Sequence, residues 1–341
     1  MRTFRRCRPR FASILLTQAP GSGWNEALRQ QGVAVLAGAV PPVEREAILN
    51  DIWDWLEGVG SGGAVSRSDP TTWTMSDRRW PRDNMSTGIV CVRGAGQAAG
   101  AWRVRGHAAV QSAFAHFWGV EPSQLLTSMD GLILWRPWQQ KPAGIAEPWK
   151  TRGSWLHADQ NVYRRPDLEA IQGLLSLTAA DPRKTGGFVC VPGSHLPEAQ
   201  QELCDLLGGP PRLRKRGDFL ALPEGSSLGA GARGASLEPG DLLLWDARLL
   251  HGSEPAPGVE HEGEPEDPVV SAPELLRVAV PVCMVPRSFA QDQDELAAWR
   301  RKAVSEGITT KHWPHKQRVQ GEAGGPDYVV PKLSSDMLRV L

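Results

Sequence analysis

A chain of 341 residues with 38 basic and 38 acidic side chains has no net charge at neutral pH. That excludes the general electrostatic pull toward nucleic acid or anionic membrane that a strongly basic protein exerts. Hydrophobic residues make up 41% and charged residues 22%, a globular composition of a length that suits one large domain or two ordinary ones, and no apolar run approaches the length of a bilayer.

The chain opens with MRTFRRCRPRFASILLTQAP, which carries five arginines and no acid before Glu26. Its composition fits an organelle transit peptide or a disordered basic tail on a cytoplasmic protein, and it lacks the apolar core of a secretory signal. Residues 1–25 are therefore read as a tail or presequence, and 26–341 as one domain. The five cysteines, at 7, 91, 190, 204 and 283, are odd in number and widely spread with no CxxC, so reduced intracellular thiols are expected.

After the tail, LRQQGVAVLAGAVPP reads as a helix end followed by a short strand. VEREAILNDIWDWLEG places Ile48, Leu49, Ile52, Trp53 and Leu56 on one stripe of an amphipathic helix. Residues 58–105 are rich in Gly, Ser and Trp with little periodicity, and HAAVQSAFAHFWG predicts a further helix. From 125 onward the pattern changes to short runs bounded by Gly, Pro and Asp: LLTSMDGLILW, SWLHADQNV, AIQGLLSLTA, GGFVCVPGSH, DLLLWDARLLH and RVAVPVCMV. Several short strands separated by turn signals predict a sandwich or barrel. A helix returns at DELAAWRRKAVSEG, with Leu296, Ala297 and Trp299 on its buried face. The basic PPRLRKRGD (210–218) and the acidic stretch 254–274 are expected to be solvated loops.

Side chains two apart on a strand share a face. If SWLHADQNV is extended, Trp155, His157, Asp159 and Asn161 lie side by side, and His157 and Asp159 can grip one cation. A lone HxD is weak, because such pairs occur often by chance; a catalytic metal needs a third ligand from a distant strand. His251, emerging after the buried run 242–245 and followed by Gly252 and Ser253, is the best candidate. Two imidazoles and one carboxylate on one side of an ion form the facial triad of non-heme Fe(II) oxygenases. Zinc hydrolases that use two histidines and a carboxylate typically take them from an HExxH helix, which is missing here. Arg277 opens the last apolar run in surroundings free of charge, and a guanidinium there needs a planar anion. Two readings stay open: the far carboxylate of a dicarboxylic cosubstrate, or an acid of the preceding loop such as Glu274.

His157, Asp159, His251 and Arg277, with the blocks TGGFVCVPGSH (185–195) and GDLLLWDARLLHGS (240–253), resemble the phytanoyl-CoA dioxygenase family of Fe(II)- and 2-oxoglutarate-dependent oxygenases. DQN after the first histidine, IQGLLSL and EGITTKHWPHK are similar to a subgroup familiar from fungi, and the resemblance spans about 28–316. It implies a mainly β fold with flanking helices, the double-stranded β-helix or cupin-like jelly roll. It also implies that His157, Asp159 and His251 ligate iron, and that Arg277 anchors the 2-oxoglutarate carboxylate. The implied reaction consumes O2, releases succinate and CO2, and hydroxylates a small molecule whose identity is not encoded in any motif. A carboxylate at Asp159 separates this site from related halogenases, which keep a small residue there.

Gln172, Trp245 and Ser253 are further candidates for contact with cosubstrate or pocket, and Asn161 is a candidate pocket residue. Lys150 and Arg152 are read as a solvated loop before an anionic-substrate contact, and PPRLRKRGD as surface before a coenzyme A site. His195 is expected to serve a turn or to stand behind the ligands. His312 and His315 are expected to cap the barrel mouth or pack outside it, because Pro314 between them disfavours a helical metal pair. The rival functions are a non-catalytic jelly-roll binding protein and a zinc-dependent hydrolase.

Overall fold

The computed structural model describes residues 13–14, 17–18, 23–76, 79–256 and 274–341. The basic tail lies largely outside these residues, as does most of the acidic loop, including His261.

The strands form two sheets. In the larger, the order is Thr17–Gln18, Val33–Leu36, Leu242–Asp246, Ile171–Ser176, Arg277–Pro286, Leu132–Trp135, Ile89–Val90 and Asp83–Asn84, with Leu125–Thr127 also paired to Arg277–Pro286. In the smaller it is Ser13–Ile14, Arg233–Ala235, Gly186–Cys190, His251–Pro255, His157–Ala158 and Leu220–Ala221. All pairings are antiparallel except those of the two short N-terminal strands. The result is a mainly antiparallel jelly roll with helices outside it.

Leu242–Asp246 is apolar through Trp245 because both its faces are covered. Leu242 and Leu244 pack in the layer that includes Ile48, Ile52 and Phe114 of the outer helices, while Leu243 and Trp245 join Phe188, Cys190 and Ala235 between the sheets. A period of two thus sorts each strand. Arg277 shares the inner face with Ala279, and Gln172 shares it with Leu174. In the smaller sheet Ala158 and Leu250 face an outer cluster with Leu203 and Leu213, so His157 and His251 point inward. Leu243 is fully buried, and truncating it to alanine would cost about 2–5 kcal/mol.

The expected helices occur at Pro42–Trp55, Ala108–Trp118 and Gln293–Ser305. Within 58–105 the structure adds Ala99–Gly106, a helix without a polar stripe: Gly100, Ala101, Trp102, Val104 and even Arg105 are buried. A Cβ on Gly100 would stand 2.6 Å from the Ile48 carbonyl, so glycine there lets this helix lie directly against Pro42–Trp55. No helix among the described residues is long and apolar enough to cross a membrane.

Candidate active site

His157 and His251 sit directly opposite each other on neighbouring strands of the smaller sheet, and their ring centroids are 4.4 Å apart. His157 Nδ1 lies 3.1 Å from the Trp155 carbonyl and His251 Nδ1 3.0 Å from the Leu249 carbonyl. A carbonyl can only accept, so both Nδ1 atoms carry a proton, and Nε2 is the atom each ring can offer to a metal. Those Nε2 atoms converge on one carboxylate: His157 Nε2 is 3.5 Å from Asp159 Oδ1, and His251 Nε2 is 3.5 Å from Asp159 Oδ2. One donor atom from each residue lies within 4.8 Å of the others, the single group of this kind among the described residues.

Asp159 reaches this point by leaving the strand. The strand ends at Ala158, and the Asp159 and Gln160 amides both donate to the Ala247 carbonyl, at 2.9 and 3.0 Å. The alternation expected through Asn161 therefore breaks. Asn161 is corrected from a candidate pocket residue to a loop clamp: its Nδ2 donates to the Leu213 and Gly217 carbonyls at 2.9 and 3.2 Å, and its Oδ1 accepts from the Tyr163 amide. A buried amide in a turning chain satisfies backbone groups first.

Across the cleft, the larger sheet contributes Gln172, whose Nε2 donates to Asp159 Oδ2 at 2.9 Å. Burial pushes the Asp159 carboxyl upward, but His312, His157 and His251 outweigh it and hold the group well below its ordinary range. Burial and the neighbouring His157 lower His251, favouring the neutral ligand form.

Arg277 lies under Ser253, with Nη1 donating to Ser253 Oγ at 3.1 Å and the guanidinium 4.7 Å from the Trp135 ring. The side chain is fully buried, its Nε and Nη2 have no partner among the described residues, and desolvation alone lowers it to about 10. Glu274, the alternative partner, instead pairs with Arg67 at 3.7 Å. Trp245 packs against His251 and Phe188 with ring separations of 5.2 and 4.9 Å, and its indole N–H is buried without a partner.

Other candidates fall elsewhere. His195 Nε2 bonds the Arg29 carbonyl at 2.9 Å and holds the helix Trp24–Gln31 to the PGSH turn. Lys150 is exposed, with Nζ 5.8 Å from the Trp138 ring, and Arg152 is exposed. The arginines and lysine of 212–216 are largely exposed, with Leu213 buried among them. His315 packs outside the barrel against Glu169, whereas His312 turns toward Asp159. Sequence reasoning missed Phe219, half exposed, which stacks on His157 at 4.6 Å opposite Trp155 at 5.0 Å. It also missed the approach of His312, for which the only signal was the histidine-rich KHWPHK.

A family profile described as phytanoyl-CoA dioxygenase matches residues 28–257. The chain belongs to the phytanoyl-CoA dioxygenase family. Among curated relatives it is similar to "Ava biosynthesis cluster protein O" of Aspergillus versicolor, 24% identical over 312 residues, covering 87% of each chain. Among solved structures it is similar to EctD from S. alaskensis with bound Fe (15% identity, 84% of this chain and 85% of that one, TM-score 0.49). It is also similar to the epimerase SnoN in complex with Fe3+, alpha ketoglutarate and nogalamycin RO (14% identity, 77% and 82%, TM-score 0.44).

As a member of this family the protein is an iron- and 2-oxoglutarate-dependent oxidoreductase. Its residues fit both groups. Two imidazoles and a carboxylate gathered together fit an open-faced iron site. A buried guanidinium with two unpartnered nitrogens fits a carboxylate.

Proposed function

We propose that the protein hydroxylates a C–H bond of a small organic molecule, with His157, Asp159 and His251 as iron ligands and Arg277 with Ser253 as the seat of the distal 2-oxoglutarate carboxylate. The observation that carries this reading is the orphaned Arg277 guanidinium. A buried cation without a counter-charge costs several kcal/mol, and among the described residues only Ser253 Oγ is bonded to it. A dicarboxylate held at one end by a metal and at the other by Arg277 offsets that cost. A zinc hydrolase or a scaffold without cosubstrate leaves it uncompensated.

Iron(II) with 2-oxoglutarate and O2 supplies the oxidising chemistry, in which 2-oxoglutarate becomes succinate and CO2 and the substrate gains one oxygen atom. The chain's own contribution is placement. The Trp155 and Leu249 carbonyls fix both imidazole tautomers, Gln172 fixes the carboxylate, and Trp155, Phe188, Phe219 and Trp245 wall the imidazoles. The flat, apolar surface of Phe219, partly open to solvent beside His157, suits a substrate with a substantial apolar or ring portion. A relative named for a biosynthesis cluster agrees with a small-molecule substrate.

The test is succinate formation from 2-oxoglutarate by protein loaded with Fe(II), screened against a metabolite library and followed by mass detection of a product heavier by one oxygen. Stimulated succinate with such a product is expected. Absence of any Fe(II)-dependent succinate, coupled or uncoupled, contradicts the reading.

A further inference from the structure

His312 is delivered to the site by a segment beyond the family match, which ends at residue 257. Its Nδ1 lies 3.8 Å from Asp159 Oδ2, the oxygen to which Gln172 Nε2 donates. Its Nε2 is buried without a hydrogen-bond partner, and its ring lies 4.9 Å from that of Trp313.

The loop carrying it is fastened on both sides of the histidine. Before it, the Thr310 amide donates to the Met129 carbonyl at 2.8 Å, Thr310 Oγ1 accepts from the Met129 amide at 2.9 Å, and Thr309 Oγ1 accepts from the Gly96 amide at 3.0 Å. After it, Trp313 is buried beneath the Arg165 guanidinium, and the Pro314 carbonyl accepts from Arg300 Nη1 at 3.0 Å. Lys316 and His315 both bond Glu169, ten residues beyond Asp159 along the same loop. Seven contacts from four parts of the chain thus hold a histidine beside the carboxylate at the centre of the site.

We propose that His312 is a positioning residue for Asp159. With the hydrogen bond from Gln172 it flanks Oδ2, the oxygen that also faces His251 Nε2 at 3.5 Å, and so limits rotation of the carboxylate. The inference rests on the proposed role of His157, Asp159 and His251 as ligands. Partners that orient a ligating carboxylate are typically worth about 10–100-fold in metal affinity.

The experiment is an anaerobic titration of the metal-free protein with Co(II), without 2-oxoglutarate, following the dissociation constant by calorimetry and the visible Co(II) absorption. Wild type, H312A, H312F and H312N are compared, with the melting temperature of each metal-free protein. H312F keeps a ring against Trp313 and loses the nitrogen. H312N places an amide nitrogen near the position of Nδ1. The expected result is a roughly tenfold weaker Co(II) affinity with an altered spectrum for H312A and H312F, and recovery of most of both in H312N. Unchanged affinity and spectrum in folded H312F overturn the proposal, as does weakening that H312N fails to recover, which would make His312 a packing element. A collapse of melting temperature in all three variants overturns it equally. A wild type that binds no Co(II) overturns the ligand assignment itself, so the two failures are distinguishable.

Discussion

Arg277 and Ser253 meet across the two sheets: Nη1 donates to Oγ at 3.1 Å, while the remaining guanidinium face carries two nitrogens without partners. Ser253 stands two residues from His251 and shares its inward face, so the proposed metal ligand and part of the proposed anion seat lie on one strand. In the proposed function, that spacing lets one small dicarboxylate reach from the metal to Arg277.

Replacing Arg277 with alanine removes the charge but leaves His157, Asp159 and His251 in place. The expected outcome is a rise on the order of a hundredfold in the 2-oxoglutarate requirement, about 3 kcal/mol for a buried charge pair, with Co(II) affinity unchanged. Lysine there should recover only part, since it lacks the planar fork. An unchanged 2-oxoglutarate requirement in R277A places the anchor elsewhere.

Arg300 predicts a stability effect far from the cleft. Fully buried, it bonds the carbonyls of Leu341, Pro314 and Thr127 at 2.7, 3.0 and 2.6 Å, tying together the C-terminal residues, the His312 loop and a strand of the larger sheet. Arg300→Leu takes the donor from two buried carbonyls and one half-buried one, and urea unfolding should show a loss of about 3–5 kcal/mol. A loss below 1 kcal/mol contradicts this account of the loop.

His315 predicts an acid sensitivity. Burial and the adjacent Lys316 ammonium outweigh Glu169 and lower the imidazole from 6.5 to about 4. The folded state therefore favours the neutral ring, and the unfolded chain takes up a proton first as pH falls. The contribution to stability is complete above pH 6.5 and is lost progressively from there down to about pH 4. Between pH 6.5 and 5, above the range where Glu169 titrates, wild-type stability should fall by up to about 1 kcal/mol per pH unit. H315Q should be flatter over the same interval. Parallel curves for the two proteins contradict the assignment.

Much of this was legible in the sequence because the strands obey a period of two. The apolar run Leu242 to Trp245 marked a buried strand with His251 emerging after it, and the charge-free run opened by Arg277 marked a guanidinium in need of an anion. Asn161 failed for a local reason: the chain turns after Ala158 to let the Asp159 and Gln160 amides reach the Ala247 carbonyl, and alternation carries no signal for a bend. The helix Ala99–Gly106 was invisible because a segment buried nearly all round shows no polar stripe. His312 was hidden differently. Its approach to Asp159 depends on Arg300, Glu169 and Met129 fastening one loop, contacts of long sequence separation that no window of residues contains.

The central claim is that His157, Asp159 and His251 together hold one iron. Anaerobic titration with Fe(II) in the presence of 2-oxoglutarate tests it most directly, read as metal bound per chain in wild type and in the folded H157A and H251A proteins. The account predicts one Fe(II) per wild-type chain and no stoichiometric binding in either variant. Full binding retained in both variants, or none in the wild type, would contradict it.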